Sequence, residues 1–263
     1  MHIYIDTDLE GACGVESYES TAPGNPGYEE AYADLARDIN AAVAGAFEGG
    51  ADKVTVLDGH GPRGLNYDLV DPRALRADNN RGGHSWIDDY KKPYDAIFCV
   101  GYHAMAGTQN AFLDHTQSNF WYEYKINGRP TGEIGQSAII AAHNGAPLIF
   151  LTGDEAAVAE ARNFVGNIEC VAVKRGLGRL NCITYDKKDV REKIRLAAAR
   201  AVAAFIREPA LYKPYKPALP AEMLLTYART EFADNAMKNN PSLERTGPRT
   251  VRKVVANYLD IMP

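Results

Sequence analysis

His2-Ile3-Tyr4-Ile5-Asp6-Thr7-Asp8-Leu9-Glu10-Gly11, with the stretch Tyr28–Glu48 and the run Lys53–Asp58 that follow it, decides the fold. The first run is short and rich in β-branched and aromatic residues, which predicts a strand over His2–Thr7. In Tyr28–Glu48 apolar residues recur at Ala31, Leu35, Ile39, Val43 and Phe47, a stripe at i, i+4 spacing. That spacing predicts one buried helix face, and Gly49-Gly50 supplies the stop. Lys53–Asp58 is the next strand. A strand, a helix and a strand in this order make a βαβ unit, whose two strands run parallel.

The pattern continues along the chain. Ala96–Val100 reads as a strand buried on both faces. Phe120–Ile126 alternates aromatic and charged residues, and Asn127-Gly128 behind it predicts a tight hairpin turn. Glu133–His143 is a helix closed by Asn144-Gly145, Leu148–Thr152 a strand, Glu155–Val165 a helix, Ile168–Val173 a strand and Asp189–Arg207 a long alanine-rich helix. The fold class expected is α/β, a largely parallel sheet flanked by helices, with a smaller C-terminal α+β segment. Residues 1–208 read as the main domain. Residues 209–221, with Pro209, Pro214, Pro217 and Pro220, read as an extended connector. Residues 222–263 read as the smaller segment, packed on the same unit, with one clear strand at Met223–Tyr227.

Composition narrows the class of protein. A chain of 263 residues with 46% hydrophobic and 24% charged residues buries a sizeable core and needs no disulfide staples. Cys13, Cys99, Cys170 and Cys182 are scattered and form no C-x-x-C pair, which fits reduced thiols better than a disulfide framework or a cysteine zinc site. A net charge of −5 argues against a nucleic-acid partner. No apolar run approaches the roughly 20 residues that span a bilayer. The N-terminus enters a strand pattern with no basic region or cleavage site ahead of it. A soluble, cytoplasmic protein with no membrane partner is expected.

In open α/β sheets, ligands bind beyond the carboxyl ends of the strands. The first strand delivers Asp6-Thr7-Asp8-Leu9-Glu10-Gly11 there, the second Asp58-Gly59-His60-Gly61, and the third Gly101-Tyr102-His103-Ala104. In extended backbone Asp8 and Glu10 point the same way. Asp6, Asp8 and Glu10 at alternate positions facing one core would be costly without a cation, and no lysine or arginine lies nearby in sequence. Two imidazoles with several carboxylates suit zinc, manganese or cobalt better than calcium or magnesium. Singly, a D-x-E after a strand is commonly a solvated loop or cap, and either histidine a packed one; their joint placement supports a metal site. Glu133 by itself reads as a first-turn acid facing the helix macrodipole. Gly59–Gly64 matches G-x-G-x-x-G, but Leu65-Asn66-Tyr67-Asp68 and Asp71-Pro72 behind it open no helix, so a dinucleotide site is not supported. There is no G-x-S-x-G elbow.

With these residues in view, the chain resembles the binuclear-zinc D-aminopeptidases of the DppA type. That family's S-x-D-x-E-G signature is matched at Asp8, Glu10 and Gly11, with Asp6 where the family has serine. Its D-x-H element corresponds to Asp58-Gly59-His60, with Asn66 shortly beyond, and its G-Y-H-A element to Gly101–Ala104, followed by His115. Its I-N-x-R-P-x-G-E-x-G block corresponds to Ile126 through Gly135, and the likeness continues through Ala146-Pro147 and Gly153-Asp154. The resemblance implies that Asp8, Glu10, His60, His103 and Glu133 hold two zinc ions per subunit, with Asp8 as the bridge. It also implies that His115 is the catalytic histidine, a nucleophile or proton-transfer group; a free imidazole suits proton transfer near pH 7. It further implies short D-amino-acid peptides such as D-Ala-D-Ala as substrates, and a ring-shaped homo-oligomer, a decamer on the family pattern.

Two other readings stay open on the sequence. One is a different metallohydrolase on this scaffold, acting on L-peptides, another amide or a phosphate ester; Arg63 and Arg129 are the only basic groups near the ligands for the last of these. The other is a non-catalytic assembly protein with structural metals. His84 reads as a loop residue, His2 and His143 as structural or exposed, and Cys13 as packing.

Overall fold

The structure is a computed structural model that describes residues 1–61, 64–77 and 86–263. His84 and Arg63 lie outside the described residues. The elements are, in order, β1 (His2–Thr7), α1 (Tyr28–Glu48), β2 (Lys53–Asp58), β3 (Leu75–Arg76), α2 (Trp86–Asp89), β4 (Ala96–Tyr102), β5 (Trp121–Ile126), β6 (Arg129–Pro130) and α3 (Glu133–Ala141). Then come β7 (Leu148–Asp154), α4 (Glu155–Val165), β8 (Glu169–Gly178), β9 (Asn181–Thr184), α5 (Lys187–Arg207), β10 (Ala221–Tyr227), α6 (Thr230–Asn239), β11 (Glu244–Arg245) and β12 (Thr250–Val255).

The main sheet has the order β3-β2-β1-β4-β7-β8-β9. Every neighbouring pair is parallel except β8 and β9, which form an antiparallel edge hairpin. The chain leaves β1 toward β2 on one side and returns with β4 on the other. The order reverses there, so a crevice opens beyond the carboxyl ends of β1 and β4. Alternation along the strands builds two cores. Ile3 and Ile5, with Val54, Val56, Phe98 and Val100, pack against α1 and α5. Tyr4, Ile97, Cys99 and Leu151 face the opposite side, against α3 and α4.

A second, antiparallel sheet has the order β11-β12-β10-β5-β6. Asn127 (φ 49°) and Gly128 (φ 77°) make the expected tight turn between β5 and β6, a geometry in which both central residues need positive φ. The C-terminal segment supplies this hairpin's other partner, with Met223 opposite Ile126 and Leu225 opposite Tyr124. All four side chains are buried in the core beneath α3. The last strands of the chain therefore brace the hairpin that leads straight into Glu133. Among the described residues no helix is long and apolar enough to cross a membrane.

Candidate metal centre

β1 ends at Thr7, and residues 8–11 leave the sheet in a bend and a turn rather than continuing extended. The expectation that Asp8 and Glu10 share a direction through strand geometry is thus corrected. They meet because the bend is pinned to β4: the Asp8 N–H donates to the Val100 carbonyl (2.9 Å) and the Gly11 N–H to the Gly101 carbonyl (2.8 Å). The two backbones touch so closely that a Cβ at Gly11 would stand 1.9 Å from the Tyr102 carbonyl oxygen. At Gly101 (φ 81°) a Cβ would stand 2.1 Å from the Asp8 carbonyl oxygen, so both positions require glycine.

The five sequence-identified carboxylates and imidazoles converge on this bend. His60, just past β2, places Nδ1 3.2 Å from Asp8 Oδ1 and 3.2 Å from Glu10 Oε2. His103, just past β4, places Nε2 3.1 Å from Asp8 Oδ2 and 3.3 Å from Glu133 Oε1. Asp8 therefore turns one oxygen toward His60 and Glu10 and the other toward His103 and Glu133. Each remote imidazole nitrogen is tied to a backbone carbonyl: His60 Nε2 to Thr21 (2.9 Å), His103 Nδ1 to Ala104 (3.0 Å). Those bonds fix the ring orientation and leave Nδ1 of His60 and Nε2 of His103 aimed inward, the arrangement usual for metal-binding histidines. Glu133 sits in the first turn of α3 and accepts from the Gln117 N–H (2.7 Å). Glu133 thus stands at the helix end, with Oε1 turned toward His103.

His115 stacks on His103, ring centroids 3.9 Å apart, with Nδ1 against the Leu113 carbonyl (2.9 Å) and Nε2 3.7 Å from Glu133 Oε1. It stands where two cavities meet. One, of about 330 Å³, is lined by Asp6, Asp8, His60 and Glu133; the other, of about 570 Å³, runs past Asp114, Trp121, Tyr124 and Arg179 between the two sheets.

The electrostatics match the crowding. Burial opposes protonation of His60, yet Glu10 and Asp8 outweigh it and push its pKa up to about 11. His103 is raised in the same way, burial again opposing and Glu133 and Asp8 prevailing. Burial would raise Asp8, but its contacts with His103 and His60 hold it well below the usual carboxylate range. Among the described residues, Asp8 Oδ2, Glu10 Oε2 and His103 Nε2 are buried with no aligned hydrogen bond, held only by the ion-pair contacts given above. Polar atoms so placed are costly unless something satisfies them. Carboxylate and imidazole atoms gathered in this way are of the types that suit an N/O-liganded cation, and His103, Asp8 and Glu10 bring possible ligand atoms within 4.8 Å of one another.

Some contributors were not legible in sequence. Lys174 of β8 is wholly buried and donates to the carbonyls of Glu10 (2.8 Å) and Val15 (2.6 Å), holding the loop that carries Glu10. Its burial lowers its pKa to about 8. Arg129, considered above for a phosphate, instead lies over the Phe164 ring at 4.1 Å and donates to the Asn163 carbonyl. Cys13 is buried, as expected of packing, and His2 bonds Pro93 and Thr55.

An α/β sheet whose carboxyl edge gathers imidazoles and carboxylates in a cleft has the architecture of a ligand-binding or catalytic site. A family model described as D-aminopeptidase matches residues 1–263, and the chain belongs to that family, which makes it a peptidase. It is similar to a D-aminopeptidase of Bacillus subtilis (strain 168), 27% identical over 99% of this chain and 93% of that protein. The fold is that of a solved Zn-dependent D-aminopeptidase, DppA from Bacillus subtilis, described as a self-compartmentalizing protease. The TM-score is 0.89 at 24% identity, over 99% of this chain and 94% of that one.

Proposed function

We propose that this peptidase is a zinc-dependent aminopeptidase that removes N-terminal D-residues from short peptides such as D-Ala-D-Ala. Two ions would be held by Asp8, Glu10, His60, His103 and Glu133. The observation that carries this reading is the two-sided use of Asp8, with an imidazole and a second carboxylate beside each of its oxygens. The Zn dependence of the solved relative supports zinc, while manganese and cobalt suit the same ligand types.

Bound zinc supplies Lewis acidity, polarising a carbonyl and bringing the pKa of water toward neutrality. The chain's own residues do the rest. The carbonyls of Thr21 and Ala104 set which nitrogen of His60 and His103 faces the centre. The Gln117 N–H holds Glu133 in place. His115, with Nδ1 tied to Leu113, presents Nε2 to the cleft and moves a proton to the leaving amine. The larger cavity accommodates the peptide beyond the cleaved bond. One observation favours a second role for His115: with His103 and Glu133 it forms a set that could itself hold a metal.

The likeness to a self-compartmentalizing protease supports a ring-shaped homo-oligomer, and four free cysteines fit a reducing cytoplasm. The test of the activity is amine release from D-Ala-D-Ala, L-Ala-L-Ala and the mixed diastereomers, with zinc supplied and after chelation. Chelator-sensitive cleavage of the peptides with an N-terminal D-residue is expected. Equal cleavage of all isomers, or of none, overturns the stereochemical assignment.

A further inference from the structure

Asp6 is a buried carboxylate that the ligand set does not use. It is 4% exposed, and one oxygen, Oδ2, is saturated by hydroxyls: Tyr102 at 2.7 Å, Ser137 at 3.3 Å and Tyr90. The other oxygen, Oδ1, has no partner among the described residues. Three donors on Oδ2 lock the side chain, so Oδ1 points in one fixed direction. It lies at Gly59, where a Cβ would stand only 2.4 Å away, and Asp6 and Gly59 both wall the cavity shared by Asp8, His60, His115 and Glu133. A buried carboxylate oxygen left unpartnered, with a glycine rather than a side chain against it at the wall of the cavity, is placed to receive a donor.

Resting on the aminopeptidase reading, we infer that Asp6 Oδ1 is the anchor for the substrate's N-terminal ammonium group. Charge balance gives the reason. The carboxylates of Asp8, Glu10 and Glu133 leave two divalent cations with one surplus positive charge, so a cationic amine would be repelled from the cavity. Asp6 cancels the surplus and offers a charge-assisted hydrogen bond a short reach from the centre. A serine at this position, as in the family pattern the chain otherwise resembles, would bring a hydroxyl but no charge. Asp6 thus makes this chain selective for a free, protonated amine.

The test is calorimetric binding of D-alanine and of propionate, which differ by the amine alone, to the metal-loaded protein and its Asp6→Asn and Asp6→Ser variants. Metal content is measured on each. In the wild type D-alanine is expected to bind at least tenfold more tightly than propionate, and both variants should close that gap while keeping their metal. For D-Ala-D-Ala the variants should raise KM more than they lower kcat. A gap that survives in Asp6→Asn, or variants that lose metal in step with affinity, would overturn the inference. Absence of any peptide cleavage by the wild type would sink the aminopeptidase reading, while the two-ligand comparison would still decide the role of Asp6.

Discussion

Loading the centre with zinc should expel protons, and the carboxylates around His60 set how many. In the metal-free protein Glu10 and Asp8 overcome the effect of burial and push the His60 pKa up to about 11, and His103 is raised in the same sense. At pH 8 His60 therefore carries a proton on the nitrogen that faces the centre. Removing the one on His60 costs about three pKa units, or ~4 kcal/mol. An ordinary histidine would already be neutral at that pH and cost almost nothing. Calorimetric titration of zinc into chelated protein at pH 8, in two buffers of different ionisation enthalpy, should count at least one proton released per chain, the one on His60. The apparent affinity should climb about tenfold per pH unit between pH 7 and 9 through His60 alone. The same shifts govern stability. A raised folded-state pKa contributes stability that is fully present below about pH 6.5 and lost as pH rises toward 11. Metal-free protein should thus lose thermal stability across that window, and zinc-loaded protein should be spared. Release of about 0.1 protons or fewer per chain at pH 8 would refute this reasoning, since two unperturbed histidines would give only about 0.06.

Other predictions concern single side chains. His115→Ala should cost about a hundredfold or more in kcat and leave metal content and melting temperature unchanged; loss of metal would make it a ligand instead. Gly101→Ala sets a Cβ 2.1 Å from the Asp8 carbonyl at φ 81°, and should lower unfolding free energy by about 3 kcal/mol in urea denaturation and reduce bound metal. Lys174→Met leaves the buried carbonyls of Glu10 and Val15 without their donor. The loss, partly offset by removing a buried charge, should be about 1–3 kcal/mol of stability, with weaker metal binding on the Glu10 side.

Local signals were legible where the chain is locally determined. β1, α1, β2 and α4 run between the residues that periodicity and stop signals indicate, because each is fixed by its own pattern and by the glycines or turns that end it. Non-local pairings were not. β10 joins β5 across about a hundred residues of chain, which no short-range pattern encodes, whereas β9 folds back on β8 in a local hairpin whose turn carries no Asn-Gly or Asp-Gly signal. At the centre, strand-end placement pointed to Asp8, Glu10, His60 and His103, and likeness to a known family added Glu133. The direction of Asp6 depended on hydroxyls from Tyr90, Tyr102 and Ser137, residues far apart in sequence. Lys174 was invisible for the same reason: an internal lysine in a strand announces nothing until its carbonyl partners are known.

The central claim is that Asp8 joins two metal sites, and metal counted per chain tests it most directly. Elemental analysis of zinc-reconstituted protein should find two ions in the wild type and one each in Glu10→Ala and Glu133→Ala. Asp8→Ala should hold none, and D-dipeptide cleavage should survive only where both ions remain. One ion in the wild type, or two retained by Asp8→Ala, would contradict the account.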